Sequence, residues 1–204
     1  MTPESKRYQV PHHVDFTPTW LYNRRNPSLR DSTMTQPIPD WPIYNWDVMQ
    51  IGIEAGLMSE KITREYIADY CTSVQETKPL YLDTGAARQA GYPDVIAPPS
   101  MIYGYAPMRR WDMFNDMGFL APEQAAQPRS TPFAGSEVRL TGIPVIAGDV
   151  VYSNSRLSNR WISRSGNKFA GFTITMHNQR GEKIGEYDYN IIWEYFRGQK
   201  GRTA

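Results

Sequence analysis

The chain has 204 residues, of which 40% are hydrophobic, and its formal net charge is +1. This length and composition predict one domain with a proper core, and the near-zero charge argues against a nucleic-acid or membrane-surface partner. The single cysteine, Cys71, excludes an internal disulfide and a multi-thiolate metal site. No apolar run reaches the roughly 18 residues of a membrane span, and the polar first residues do not resemble a signal peptide, so we expect a cytoplasmic protein.

Residues 1–45 are rich in proline and aromatic residues but show neither a helical nor a strand period. Such a stretch cannot build its own core, yet it has more aromatic residues than a disordered segment usually has. We therefore predict an arm that lies on a surface, either of this chain or of a partner. The adjacent His12 and His13 have no carboxylate or thiolate at ligand spacing, so no metal site is predicted there.

A domain is predicted over residues 46–198, followed by a tail at 199–204. Its first segment, 46–57, is weakly patterned and fits either a short helix or a first strand. Thr63 then begins a helical pattern, in which Cys71 is interpreted as a small buried residue rather than a nucleophile. The predicted buried face of this helix consists of Tyr66, Ile67, Tyr70 and Val74.

A polar loop and a second helix follow. The loop is predicted over residues 75–83, around Pro79, and Thr84 is predicted to cap a short helix that stops at Gly91. The alanine that precedes Pro98 and Pro99 is pushed out of the α region, and both prolines fix their own φ. This rigid turn is therefore expected to set the direction of the next helix.

The next predicted element is a long central helix over about residues 101–115, with Ser100 as its N-cap. Its apolar residues form two adjoining stripes, flanked by Ile102 and Trp111. The stripes consist of Met101, Tyr105, Met108, Met113 and Phe114. A helix that is apolar nearly all round is surrounded by protein on most sides. We therefore expect the second half of the chain to enclose it.

The second half of the chain predicts strands. Residues 118–134 are interpreted as a loop, with a lid as one interpretation, and the period then changes to two. Residues 178–181 form a hairpin signal, and Asp149 after Gly148 is interpreted as a turn residue. Strands are predicted over residues 136–141, 149–159, 169–177 and 183–196. Four strands in meander order after a long helix predict an α+β fold, with an antiparallel sheet curled around that helix.

Several short motifs occur together in this chain. They are VIAPPSM at residues 95–101, GSEVRL at 135–140, the turn at 147–149 and HNQRGEKIGEY at 177–187. In order and spacing they resemble the MaoC-like hot-dog domains of enoyl-CoA hydratases and 3-hydroxyacyl dehydratases, particularly the N-terminal MaoC dehydratase type. The resemblance covers about residues 50–196. It implies a hot-dog fold, preceded here by the irregular N-terminal arm.

Competent members of that family have a loop Asp-x-Asn-Pro-Leu-His, in which the aspartate and the histidine act on one water. Alignment through Pro79 and Leu80 places Glu76, Lys78 and Tyr81 at the aspartate, asparagine and histidine positions. A tyrosine phenol, with a pKa near 10 in model peptides, is a poor proton shuttle at neutral pH. Each residue also has a purely structural interpretation: Glu76 as a solvated carboxylate, Lys78 as its ion-pair partner and Tyr81 as a packed aromatic residue.

The family's oxyanion donor is the backbone N–H of a glycine that opens the central helix, where this chain has Pro99. Proline has no N–H, so Ser100 and Met101 are the alternative donors. Arg109 and Arg110 fit either contacts with the phosphates of coenzyme A or the solvated strip of the helix. The residues that the resemblance places at the substrate are thus Lys78, Pro99, Ser100, Met101, Tyr105, Arg109 and Arg110.

The changed dyad positions, Glu76 and Tyr81, resemble those of the non-catalytic half of a double hot-dog enzyme. This resemblance implies an acyl thioester of coenzyme A or acyl carrier protein as substrate, with no cofactor. It also implies a second MaoC-like hot-dog chain as partner, in a hetero- or homo-oligomer whose sheet edges join. Two alternatives stay open: a homo-oligomeric hydratase or thioesterase that uses Glu76, and an acyl-thioester binding protein without chemistry.

Overall fold

The computed structural model describes residues 39–197. The tail predicted at 199–204, the His12–His13 pair and most of the predicted arm at 1–45 lie outside the described residues. The compact unit that contains the predicted hot-dog domain begins at Asp40. Within residues 39–197, no helix has the length and apolar character needed to cross a membrane.

One antiparallel sheet of five strands forms the centre of this unit, in the spatial order β1-β3-β4-β5-β2. Its strands are β1 (Met58–Lys61), β2 (Phe133–Leu140), β3 (Val150–Ile162), β4 (Lys168–Asn178) and β5 (Lys183–Glu194). The predicted hairpin between β4 and β5 is confirmed, because Asn178 Oδ1 accepts hydrogen bonds from the N–H groups of Arg180 and Glu182. Gly181 in this turn has φ +77, a value that favours glycine.

The predicted meander order is wrong at β2, which pairs with β5 instead of β3. The reason lies in the connection from β2 to β3, which is held against the segment before the central helix. Ala97 N–H donates to Val145 O, and Ala147 N–H donates to Val95 O. The connection therefore carries the chain across the sheet before β3 begins. Asp149 closes its turn as predicted, since its Oδ2 accepts from the N–H of Ile146 at 2.9 Å.

Within residues 39–197, five helices and two 3-10 turns cover the sheet or connect its strands. The helices are α1 (Arg64–Val74), α2 (Pro79–Leu82), α3 (Thr84–Gln89), α4 (Ile102–Tyr105) and α5 (Arg110–Asn115), and the 3-10 turns are Pro99–Met101 and Pro122–Gln124. The long central helix predicted over 101–115 is wrong, because α4 and α5 are separate. Pro107 supplies no N–H and disfavours a helical conformation at Ala106, which has φ −136 and ψ 65. The predicted cap is also wrong, since no side chain of the described residues caps the 3-10 turn that contains Ser100.

Helix α1 begins as predicted, with Thr63 Oγ1 accepting from Tyr66 N–H at 3.1 Å. Its predicted buried face is wrong at Val74, which is exposed, whereas Cys71 is fully buried. The cap predicted for the next helix is shifted by one residue. Asp83 caps α3 by accepting from Ala86 N–H, whereas the predicted cap Thr84 is the first helical residue. Residues 79–82 of the predicted loop form α2, since proline is well tolerated in a first helical turn.

The core lies between the helices and one face of the sheet. Phe114 of α5 stacks on Tyr44 with ring centroids 4.2 Å apart, and Trp193 of β5 meets Phe114 edge-on at 5.9 Å. Tyr44, near the end of the predicted arm, is thus fully buried in this core. Trp111, which the sequence placed beside the buried stripes, is 48% exposed. The helix α5 therefore has a solvent-facing side.

Candidate functional site

The carboxylate of Glu76 is held by its own loop, between α1 and α2. Oε1 accepts hydrogen bonds from the N–H groups of Thr77 and Lys78, both at 3.0 Å. Oε2 lies 3.6 Å from Lys78 Nζ, which confirms the ion pair predicted for these residues. The hydrogen bond from the Lys78 N–H, together with the Lys78 charge, keeps the pKa of Glu76 below its ordinary value. The ionised carboxylate therefore shapes the loop.

Tyr81 is buried, and Lys78 Nζ lies 5.8 Å from the centroid of its ring. The side chain also borders a cleft of about 220 Å³, whose other lining residues include Arg64, Thr84 and Val95. The structure thus brings the three predicted dyad-loop residues together, with Glu76 and Lys78 paired and Tyr81 packed below them. It supports the structural interpretations of Lys78 and Tyr81.

Asp94 joins the elements that border this cleft, and no sequence pattern predicts this role. Its Oδ1 accepts from Arg64 Nε at 2.9 Å, from the Thr84 hydroxyl at 3.2 Å and from Val95 N–H at 2.8 Å. Oδ2 accepts from Arg64 Nη2 at 2.5 Å. The hydrogen bonds from Arg64 are the main reason why the pKa of Asp94 falls to about 2. Asp94 therefore connects the start of α1, the start of α3 and the segment that leads to α4.

Asp94→Asn is expected to lower the free energy of unfolding at pH 7 by roughly 1–2 kcal/mol, because Arg64 is largely exposed and solvent screens part of the interaction. The folded-state pKa is lowered, so this stability is present above pH 3.8 and is lost as the pH falls towards 2. Urea unfolding at both pH values measures the difference. Asp116→Asn, at an exposed site, is the control, and an equal loss at pH 7 and pH 2 would contradict the assignment.

The backbone at the start of the central helical segment offers few free amides. Met101 N–H donates to Pro98 O at 2.9 Å, and Ile102 N–H donates to Pro99 O. Met101, one of the two predicted substitute donors, is therefore already engaged, and its side chain is fully buried. This leaves the amide of Ser100, an exposed residue, as the alternative donor at the position where Pro99 has none.

The remaining predicted substrate residues point inward. Tyr105 is buried, and its burial raises the pKa of its phenol. Arg109 Nε lies 2.6 Å from an Asp112 oxygen, and Nη1 donates to Gly56 O. Arg110 Nη2 lies 2.9 Å from Glu123 Oε1. The side chains of Arg109 and Arg110 are only 19% and 13% exposed, so the solvated-strip interpretation is wrong.

Tyr103 is a residue that the sequence analysis missed. Its hydroxyl donates to Ser136 Oγ on β2 at 3.0 Å, and its ring meets Tyr187 of β5 edge-on at 4.9 Å. The side chain is nevertheless exposed. Tyr103 is two residues after Met101, a spacing that places it on a different side of a helix from the buried stripes. This spacing is the feature of the sequence that could have indicated its different orientation.

Metal and thiol chemistry have no support in the part of the chain that the structure describes. Residues 39–197 contain no cluster of three or more His, Cys, Asp or Glu side chains that could hold a metal ion. Cys71 is buried, and burial raises the pKa of its thiol. A thiol with a raised pKa is a poor nucleophile, so the interpretation of Cys71 as a small core residue is confirmed.

Comparison with known proteins adds a family and a fold. The family model described as "FAS1-like, dehydratase domain region" matches residues 49–187. A UPF0336 protein of Streptomyces coelicolor is 27% identical over 124 residues, which are 61% of this chain and 78% of that protein.

Two solved structures are similar in fold. The HadBC (3R-hydroxyacyl-ACP dehydratase) complex of Mycobacterium tuberculosis matches with TM-score 0.55 and 16% identity, over 70% of this chain and 97% of the other. A MaoC-like dehydratase of Rhodospirillum rubrum matches with TM-score 0.53 and 15% identity, over 72% and 94% of the two chains. The predicted hot-dog fold is thereby confirmed.

Proposed function

The chain belongs to the MaoC-like hot-dog family, as a FAS1-like dehydratase domain region, and from this premise we propose that it is a subunit of an enoyl-CoA hydratase or 3-hydroxyacyl-thioester dehydratase. Its role is to shape the acyl-binding tunnel. A second hot-dog chain supplies the acid and base. The substrate is an acyl thioester of coenzyme A or acyl carrier protein, and no cofactor takes part.

The state of Glu76 is the observation that carries this proposal. Addition of water to a conjugated thioester needs one group that takes a proton from water and one that protonates Cα. Glu76 already accepts two backbone hydrogen bonds from its own loop and forms an ion pair with Lys78. A base with these partners and a lowered pKa is poorly suited to take a proton from water.

Among residues 39–197, no histidine takes the place of the other half of the dyad. Tyr81 stands at the histidine position and is packed in the core. His177, the histidine within residues 39–197, lies on β4 opposite Tyr152 and Lys183, and neighbouring residues of a strand alternate between the two faces. Since Met176 faces the core, His177 faces away from it.

The edge of β2 is the surface that best fits the second chain. Thr141 N–H donates to Ile184 O of β5, so the alternate residues Val138 and Leu140 direct their amides away from β5. Within residues 39–197 no strand pairs with this edge. The side chains of Val138 and Leu140 are exposed beside Tyr103. A partner strand here would pair the amides and cover these apolar groups.

Glu137 supplies an exposed negative charge along the same edge. Its neighbour Arg139 already pairs with Glu186 and Asp188 of β5. A basic side chain on the partner strand would therefore be complementary to Glu137. The similarity to HadBC, described as a dehydratase complex, agrees with a two-chain enzyme.

The test is an assay of enoyl-CoA hydration by the chain alone and with a MaoC-like chain that carries Asp-x-Asn-Pro-x-His. The lone chain is expected to show no turnover, and the pair is expected to be active. A positioned acid or base contributes about 10²–10⁴-fold, whereas Glu76→Gln in the pair should change kcat less than about threefold, as should the control Asp116→Asn.

Three outcomes separate the hypotheses. Turnover by the lone chain that Glu76→Gln abolishes would refute the proposal in favour of a homo-oligomeric hydratase. Thioester hydrolysis that depends on Glu76 would indicate a thioesterase. Tight acyl-CoA binding by calorimetry, without product in any pairing, would indicate a binding protein.

A further inference from the structure

A largely buried ion pair joins α5 to the loop that precedes β2. Arg110 Nη2 lies 2.9 Å from Glu123 Oε1, and the two side chains are 13% and 17% exposed. The hydroxyl of Thr131, also buried, donates to the same Oε1. One oxygen of the carboxylate therefore receives two donors, and the pair is joined at a single corner.

The other corner of the same pair has no partner. Arg110 Nε and Glu123 Oε2 are both buried, and neither makes a hydrogen bond to any residue that the structure describes. Arginine and carboxylate often form two parallel hydrogen bonds, which would occupy all four atoms. Buried polar atoms are nearly always hydrogen-bonded, because an unpaired one keeps its full desolvation cost. The unpaired side of the ion pair thus presents one donor, Arg110 Nε, and one acceptor, Glu123 Oε2. Each is two covalent bonds from the atom of its own side chain that takes part in the ion pair.

The chemistry of these atoms selects what can bind there. Arg110 Nε can only donate, and ionised Glu123 Oε2 can only accept. A single atom that satisfies both must accept one hydrogen bond and donate another. Hydroxyl oxygen does this, whereas a carbonyl or carboxylate oxygen cannot donate and an ammonium nitrogen cannot accept.

The site lies near the molecular surface. Tyr189 of β5 lies near Arg110, and the centroid of its ring is 4.9 Å from that of Phe133. Phe133 is 56% exposed and Tyr189 is half-buried. Phe133 is the first residue of β2, so these two rings lie where that strand begins.

We propose that the Arg110–Glu123 pair binds a hydroxyl group, with Arg110 Nε donating to its oxygen and the hydroxyl donating to Glu123 Oε2. The hydroxyl belongs either to an ordered water or to an alcohol group of a ligand, such as a hydroxylated acyl chain. This inference goes beyond the proposed function, because it holds whether or not the chain takes part in hydration. It also replaces the contact with coenzyme A phosphates as the role of Arg110.

A crystal structure of the full ligand-free chain tests the site itself. We expect an ordered oxygen about 2.7–3.2 Å from both Arg110 Nε and Glu123 Oε2. A guanidinium that turns to form two parallel bonds with Glu123, with no oxygen between the two groups, would overturn the proposal. This experiment uses the unmodified protein, so it does not depend on the folding of any variant.

Calorimetry with two probes distinguishes the sources of the hydroxyl. An ω-hydroxyacyl-CoA and the acyl-CoA of equal length are titrated into the same protein. A ligand hydroxyl at a charged pair should favour the hydroxylated probe by about tenfold to a hundredfold, and Glu123→Gln should remove this preference. Glu186→Gln, in a half-buried ion pair with Arg139, is the matched control. Equal binding of both probes, with the oxygen still present in the crystal, assigns the site to water.

Discussion

Phe114→Ala is expected to lower the free energy of unfolding by about 3–5 kcal/mol, as truncation of a buried phenylalanine usually does. The side chain is fully buried on α5. Its ring stacks on Tyr44 at 4.2 Å and meets Trp193 edge-on at 5.9 Å, so the substitution removes two aromatic contacts as well as buried area. The remaining cavity would lie between a helix and the sheet, where neither can close it fully.

The matched control is Trp111→Ala, on the same helix. Trp111 is larger than Phe114 but 48% exposed, so its truncation should cost less than about 1 kcal/mol. Urea unfolding of both variants measures the difference. Comparable losses of unfolding free energy in the two variants would contradict the burial described for α5. They would instead agree with the sequence prediction of a helix enclosed on most sides.

The strands could be predicted from the sequence because their signals are local. Residues 150–194 alternate with period two and contain a clear hairpin turn, so β3, β4 and β5 were found within a few residues of their observed bounds. The place of β2 in the strand order of the sheet could not be predicted in this way. It depends on the pairing of residues 145–147 with 95–97, and no periodicity in either segment indicates that contact.

The sequence itself contains the signal that interrupts the central helix. Pro107 lies in the middle of residues 101–115, and a proline inside a helical pattern ends or kinks the helix before it. The apolar stripes alone favour one continuous helix. They do identify buried residues, since Met101, Tyr105 and Phe114 are all in the core.

In the candidate site too, contacts between residues close in sequence could be predicted, whereas contacts between distant residues could not. Glu76 and Lys78 are two residues apart, and their ion pair could be predicted from that spacing. Arg64 and Asp94 are thirty residues apart, and Asp94 lies in a segment without a period. Charge pairs of this kind follow from the path of loops, which the sequence pattern does not determine.

The last prediction concerns Gly185 of β5, which lies opposite Leu140 of β2. A Cβ at this position would lie 2.8 Å from the backbone oxygen of Arg139 and 3.0 Å from Leu140 Cδ2. A side chain could rotate away, but a backbone oxygen in the ladder moves only with its strand. Gly185→Ala should therefore displace β2 from β5 and cost about 1–3 kcal/mol of stability, as overpacking usually does.

The same displacement should weaken assembly, because the free edge of β2 is the proposed partner surface. Sedimentation of Gly185→Ala with the second hot-dog chain measures this effect, and urea unfolding measures stability. Gly56→Ala is the control, since a Cβ there meets no atom of residues 39–197 within 4 Å. A variant that loses stability but assembles normally would place the partner elsewhere, because strand pairing at β2 requires that edge to keep its position and its outward amides.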